Sequence, residues 1–454
     1  MDGIIMLIAY ATLMVLLTVS VTRKPRDSLE FHVADRDMGL WQSAFSIAAT
    51  WIWAPALFVS AERAYIQGII GLFWFLVPNV LCLIIFIPFA KKIRDSMPKG
   101  ITLSGFMGER YGPSAKRVYL FQLSALSVIS TGVNLLAGAA VLRTITGIPF
   151  PVLTVILAAI AYSYSQFSGI KASVLTDAVQ MVLILAACFL FVPWSIQRNG
   201  LGSLAVGSLG PLGEYGNIFS RKGLDVFLSF GLPTAIGLIA GPFGDQNFWQ
   251  RAFSIRKRNI GKAFLLGALA FAVVPLSMGF LGYIARGGGF VPQNIGMVNL
   301  EIVTSLFPAW STWPFVFMLV SGLLSTVDSN LCAMASLTTD ITASKNMAIP
   351  RVAMLVNLAL GILIANLPGM TVTNLFLFYG TLRASTFAPT VLTLRGRRLR
   401  WVAPGVMVSL LVGLPLFAWG TFVNLSPVKI AGSLVTLAAS GAIALIGGHY
   451  EKRA

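Results

Sequence analysis

Long apolar runs, each near the length of a membrane span and separated by short loops rich in Lys and Arg, fill most of this 454-residue sequence. A bilayer core about 30 Å thick is crossed by about 20 apolar residues in a helix rising 1.5 Å per residue. No water is available there to satisfy the backbone, so such runs fold as helices whose hydrogen bonds are internal. About thirteen runs qualify: residues 3–21, 40–61, 69–90, 118–142, 149–168, 172–195, 226–244, 263–284, 310–337, 352–367, 372–394, 402–423 and 430–447. Only 11% of residues are charged, against about 25% in a soluble protein. The expected class is therefore an all-α integral membrane protein.

The net charge of +17 fits loops, not a nucleic-acid surface. The basic residues form short patches between apolar runs and make no continuous basic domain, so no nucleic-acid partner is expected. Most of them fall on one side if the first run starts outside, as in Lys91–Lys92, Arg256–Lys257–Arg258 and Arg397–Arg398. By the positive-inside rule this predicts a multi-pass plasma-membrane protein, N-terminus outside and C-terminus cytoplasmic. The first run has its basic residues after it and no small-residue cleavage pattern, so it reads as a retained span. No soluble module is expected after Tyr450, which weighs against a self-contained sensor. Cys82, Cys188 and Cys332 sit in apolar runs and the two histidines are His32 and His449, a pattern that predicts no zinc, haem or iron–sulfur centre.

Two runs look interrupted. Residues 40–61 contain Pro55; residues 226–244 contain Gly231, Pro233, Gly237, Gly241 and Pro242. They lie five spans apart, so they start oppositely oriented units. Paired interruptions of this kind point to an inverted-repeat transporter, in which unwound backbone and half-helix ends line a midplane site. The expected organisation is one transmembrane domain over residues 1–454. Residues 1–39 carry the first span, 40–196 and 226–394 the two five-span repeats, and 395–454 two further spans.

A carboxylate inside a lipid-spanning helix is costly, by roughly 3 kcal/mol on insertion scales, and usually has a cation, a proton or a partner. Asp328 lies in the apolar run VSGLLSTVDSN, and Asp177 lies one turn and a half past Lys171 in another run. Gly322, Ser325, Thr326 and Ser329 follow i, i+3, i+4, i+7 spacing and share a face. Hydroxyls beside a carboxylate, near freed carbonyls, form the oxygen-rich surroundings a hard cation needs. Asp245, Gln250 and Arg251 fall at the end of a span, where charge is cheap, and read equally as a gate or loop-anchoring network and as a solvated cluster.

The stretches FHVADRDMGLWQSAFSIAATW, FMGERYG, SGIKASVLTDAVQ, GDQNFWQRAF and LLSTVDSNLCAMASLTTDI, in this order, resemble the sodium/solute symporter family, with the urea and amino-acid branches nearest in character. The resemblance implies a LeuT-type 5+5 inverted repeat, spans 2–6 and 7–11, with spans 2 and 7 broken. It implies Na⁺ as coupling ion, held by Ala49, Ile52, Gly322, Ser325 and Thr326. It implies a second cation or proton site at Asp177, Asp328 and Ser329, with Asp328 standing where members carry a serine. Substrate contacts would come from Thr50, Trp51, Trp53, Ala56, Phe378 and Tyr379.

The function these readings imply is symport of Na⁺ with a small polar solute such as urea, an amino acid or a polyamine, by alternating access. Proton coupling and a transporter-like sensor are the alternatives, and monomer and homodimer stay equally open. The two aspartates lack the motifs of intramembrane aspartyl proteases, so no enzyme is expected.

Overall fold

In the computed structural model, the described residues are 2–21, 25, 27–344 and 346–448. Arg23, Lys24, Arg26, Lys345, His449, Lys452 and Arg453 lie outside them. The described chain is helical, apart from one parallel bridge between Met38 and Ile255.

Helix α1 (Asp2–Val21) precedes the first five-span unit. That unit comprises α2 (Leu40–Trp51), α3 (Val59–Ser96), α4 (Leu103–Thr146), α5 (Phe150–Ser168) and α6 (Ile170–Ser208). The second unit comprises α7 (Leu232–Ile239), α8 (Gln246–Ser254), α9 (Ile260–Gly287), α10 (Thr312–Leu337), α11 (Ala348–Ala365) and α12 (Val372–Leu394). Helices α13 (Leu414–Phe422) and α14 (Ser426–Gly448) close the chain.

Among the described residues, ten helices are long and apolar enough to cross a membrane. The other three expected runs are also helical: α1, the interrupted 40–61 segment, and α12 with its internal Arg383. Two expected spans join within α3, where Gly68 turns the chain at φ +52°. A Cβ there would stand 2.3 Å from the Ser208 carbonyl oxygen, so only glycine fits. Exposed apolar side chains such as Ile8, Phe121, Phe189 and Leu411 cover the outer surface, as a lipid solvent requires. The exception is α10, whose most apolar window is 94% buried and which forms the central post.

Both expected interruptions are present, with adjusted boundaries. In the first, α2 stops at Trp51, Ile52 leaves the helical region (φ −83°, ψ 76°), Trp53 is extended, and a short helix Ala54–Leu57 resumes. Pro55 lies in the first turn of that short helix, so it restarts the helix where no donor is needed instead of breaking it. In the second, α7 gives way to a four-residue turn Gly241–Gly244, with Pro242 in its first turn; Asp245 is then extended before α8.

The two ends of the bundle differ. At the end carrying the basic loops, Asp340 accepts hydrogen bonds from Thr102 (2.7 Å) and Ser104 (2.5 Å) and pairs with Lys116 at 3.4 Å. There Gln246 bonds the Ile101 carbonyl and Ser336 as well. The other end holds an open vestibule of about 970 Å³, lined among others by Glu62, Arg143, Asn294, Asn366 and Thr373.

Candidate functional site

At the first break, the orphaned backbone is capped by side chains from other helices. The Ala54 N–H donates to Asn134 Oδ1 of α4 at 2.9 Å. Thr326 Oγ1 of α10 lies 3.2 Å from the Thr50 carbonyl oxygen, 3.3 Å from that of Ile52 and 3.4 Å from that of Gly322. A side chain at Gly322 would meet Ile52 Cγ2 at 3.1 Å, so glycine is what lets α10 lie against the unwound strand. Ala49 also contributes: its carbonyl takes the Ile52 N–H at 3.0 Å and keeps a lone pair. The result is a group of neutral oxygens, the donor type a hard monovalent cation prefers.

Ser325, next to Thr326, donates to Asp177 Oδ1 at 2.5 Å. Asp177 Oδ2 accepts from Ser46 at 2.6 Å and from Arg251 Nη2 at 2.9 Å. Arg251 Nη2 also reaches Ser329 Oγ at 2.7 Å, which is 2.9 Å from Thr50 Oγ1. Asp328 accepts from Ser173 at 2.8 Å and Thr176 at 3.3 Å, with Ser329 at 3.3 Å. Asp177, Asp328, Ser325 and Ser329 are therefore one buried network, adjoining the carbonyl cluster through Ser325 and Thr50. With both carboxylates ionised, one guanidinium leaves a net charge of about −1 in a dry interior, which demands a cation or a proton.

The sequence reads Arg251 equally as part of a gate or loop-anchoring network and as part of a solvated cluster; α8 folds inward after the break and leaves Arg251 only 1% exposed, inside the Asp177 network. Gln250 is also buried, and its Nε2 donates to the carbonyl of His32 in the short helix Ser28–Val33 at 2.7 Å. Asp245 goes elsewhere. It pairs with Arg383 of α12 and accepts from Tyr379 Oη at 2.7 Å.

Arg383 is the residue that sequence reasoning missed. It is 2% exposed, with its guanidinium carbon 3.9 Å from the Tyr379 ring centroid, 4.8 Å from that of Trp51 and 5.1 Å from that of Trp53. Of the expected substrate residues, Trp51, Trp53 and Tyr379 thus meet around it. Thr50 turns toward Ser329. Ala56 is buried in the short helix, its N–H bonded to the Trp53 carbonyl. Phe378 does not join Trp53; Phe376 does, at 5.7 Å between centroids. Phe376 and Tyr379 are three residues apart and share a helix face, whereas Phe378 is rotated off it. The signal for Arg383 was available, because a lone basic residue in an apolar span carries the same cost that singled out Asp328.

The second break lies close to α12 because it is built from glycines. A Cβ at Gly237 would stand 2.6 Å from Gly380 Cα, one at Gly244 3.0 Å from Arg383 Cα, and one at Gly241 2.4 Å from the Trp51 ring. Such close approach of backbones is the usual role of small residues between membrane helices.

A profile of the sodium:solute symporter family matches residues 31–413. A urea–proton symporter of Oryza sativa subsp. japonica is 25% identical over 91% of this chain and 65% of its own length. A probable urea active transporter of Schizosaccharomyces pombe is 25% identical over 62% of this chain and 44% of its own. The chain therefore spans less than two thirds of these relatives' length. The sodium/pantothenate symporter of Escherichia coli is 23% identical over 99% of this chain and 97% of its own. Among solved structures, a Na⁺-coupled sialic acid symporter superposes with a TM-score of 0.78 at 15% identity, covering 98% of both chains. Mhp1, a nucleobase–cation symporter, gives 0.59 at 16% identity over 94% and 96%. These likenesses fix the fold as LeuT-like. Together with the family match over most of its length, they place this multi-pass membrane chain in the sodium:solute symporter family, a family of transporters and not of enzymes.

Proposed function

We propose that this protein is a secondary active symporter in which Na⁺, moving down its gradient, drives uptake of a small polar organic solute. The observation that carries the reading is the convergence of Thr326 Oγ1 with the Thr50, Ile52 and Gly322 carbonyls, beside Ser325 and Ala49. Ser325 gives its hydrogen to Asp177 and keeps lone pairs for an ion. Thr326 can turn its hydrogen to the Gly322 carbonyl one turn back and do the same. The ion thus ties the unwound segment to α10, and by linkage it raises affinity for a solute bound on the other side of that segment.

The basic-loop end is cytoplasmic in this reading, and the protein sits in the plasma membrane with its N-terminus outside. The vestibule then opens to the exterior while the Asp340 latch closes the interior. Alternating access follows from rocking the two five-span units, residues 40–196 and 226–394, about the paired breaks.

The test is a sodium titration of purified protein. Na⁺, but not K⁺ or choline, raises the melting temperature, and Thr326→Ala and Ser325→Ala each shift the midpoint upward by about tenfold or more while the protein still folds. Unchanged midpoints in both variants refute the assignment. Proton coupling is the second reading, favoured by the surplus carboxylate in the Asp177–Asp328–Arg251 network. In that case acidification replaces Na⁺ as the driving condition in proteoliposome uptake.

A further inference from the structure

Far from the two breaks, on the outer surface at the basic-loop end, a cavity of about 260 Å³ opens between α4 and the helix Val402–Val408 with its continuation. Arg117, Val118 and Phe121 form one wall; Met407, Leu410 and Leu411 form the other. Five of the six are apolar. Arg117 lies five residues past the Gly112 kink (φ +83°), so about 7 Å into the span, with Phe121 one turn deeper. The other wall owes its shape to a π-turn. The Leu414 N–H reaches back five residues to the Ser409 carbonyl, which fits one extra residue into the helix. Ser409 and Gly413 are buried, Gly413 so tightly that a Cβ would stand 2.3 Å from Thr436 Oγ1. Leu410 and Leu411 are left on the outer side, facing the gap beside α4.

The mouth of this groove is strongly basic. Lys116 is paired with Asp340, but among the described residues no carboxylate pairs with Arg117. Tyr111, just before the kink, meets Thr393 Oγ1 at 2.9 Å and so brings the loop 395–401 beside the start of the α4 span. Arg397, Arg398 and Arg400 of that loop are exposed, and Trp401 follows at the foot of the second wall. Across residues 103–121 and 395–401, Glu109 is the one carboxylate. A guanidinium at the edge of the hydrocarbon, with no carboxylate of its own, is matched by the oxygens of a phosphate. A second copy of the chain fits poorly, because a two-fold contact through the groove sets one basic mouth against another. A free anion leaves the apolar walls unfilled.

We infer that this groove holds an anionic phospholipid, with its phosphate on Arg117, the rest of its headgroup among the guanidiniums of Arg397, Arg398 and Arg400, and an acyl chain along Val118, Phe121, Met407, Leu410 and Leu411. No residue of the ion site takes part. Bilayer hydrocarbon is as apolar as the groove, so the chain contributes fit and the headgroup carries the preference. A zwitterionic lipid brings an ammonium group to a surface that is already positive, which disfavours it. The bound lipid ties the C-terminal helices to α4 of the first five-span unit.

The test uses the full chain in a non-ionic detergent, titrated with phosphatidylglycerol, phosphatidylcholine or glycerol 1-phosphate and read by native mass spectrometry and melting temperature. Phosphatidylglycerol is expected to bind and stabilise with a midpoint about tenfold below that of phosphatidylcholine, and glycerol 1-phosphate to do neither. Arg117→Gln is expected to raise the phosphatidylglycerol midpoint about five- to tenfold and leave phosphatidylcholine unchanged, with Arg117→Lys recovering part of the loss. Leu411→Trp, at a position 69% exposed, fills the groove and is expected to weaken both lipids. Equal midpoints for the two lipids in the parent protein overturn the inference, as does an unchanged phosphatidylglycerol midpoint in Arg117→Gln. Stabilisation by glycerol 1-phosphate equal to that by the lipid makes this a free-anion site and refutes the groove. A dimer in lipid-free detergent that Leu411→Trp dissociates assigns the groove to a second copy and refutes the lipid.

Discussion

Removing Arg251 tests the charge arithmetic of the buried network. Arg251→Met deletes the Asp177 and Ser46 bonds and the Ser329 contact while keeping an apolar side chain of similar length. It leaves two carboxylates, Asp177 and Asp328, with hydroxyl partners alone. Breaking a fully buried pair by deleting one partner costs about 3–5 kcal/mol, because the remaining charge is stranded. Both members here are at most 1% exposed, so solvent gives little relief. Asp177→Asn combined with Arg251→Met removes both charges and returns the network to the wild-type surplus. The double variant is therefore expected to recover most of the loss, with a coupling energy of about 2–3 kcal/mol. The assay is a thermal melt by size-exclusion fluorescence in Na⁺-free buffer, where no added ion masks the deficit. Additive effects of the two substitutions, or a single variant as stable as wild type, refute the argument.

Burial pushes the His32 imidazole down to about 4. Its folded value lies below the ordinary 6.5, so the associated stability is present above pH 6.5 and is lost as pH falls toward 4, by about 3 kcal/mol in full. Melts between pH 7.5 and 5 are expected to show this slope in the wild type and a flatter one in His32→Leu. Asp328→Asn removes the network's surplus charge and is expected to stabilise the Na⁺-free protein by about 1–3 kcal/mol, seen as a higher melting temperature without ion and a smaller gain on adding it. Gly241→Val drives a side chain into the Trp51 ring, 2.4 Å from the Cβ position. Substrate-dependent stabilisation is expected to vanish in that variant while Na⁺-dependent stabilisation persists. Gly68→Ala forces a Cβ against the Ser208 carbonyl at positive φ and is expected to cost about 1–3 kcal/mol, read as reduced yield and melting temperature.

The helical runs were legible because lipid leaves the backbone one solution, and the breaks because glycine and proline mark where that solution is abandoned. The Ser325–Thr326 pair was legible too, since helical spacing alone puts it on one face with Gly322. What one-dimensional spacing cannot convey is where a long side chain ends up. For Arg251 a gate network and a solvated cluster were equally open, because a residue near a span's end can reach water; after the Asp245 break, α8 instead runs into the protein. Phe376 displaced Phe378 for the simpler reason that helix phase, fixed by Tyr379, was not applied. Pro55 was credited with a break that belongs to Ile52 and Trp53.

The Asp177–Arg251 bridge joins α6 of the first unit to α8 of the second. Unlike a dissolved ion, this guanidinium is leashed to the polypeptide. In the proposed symport cycle, Asp177 still has a positive neighbour after a diffusible cation has left. An unloaded carrier built this way then swings back with Asp177 still neutralised, and Asp328 is the one carboxylate left for a proton to cover. Its turnover rate would then be governed by how easily α8 slides past α6, and substituting Arg251 should slow the empty return more than the loaded stroke.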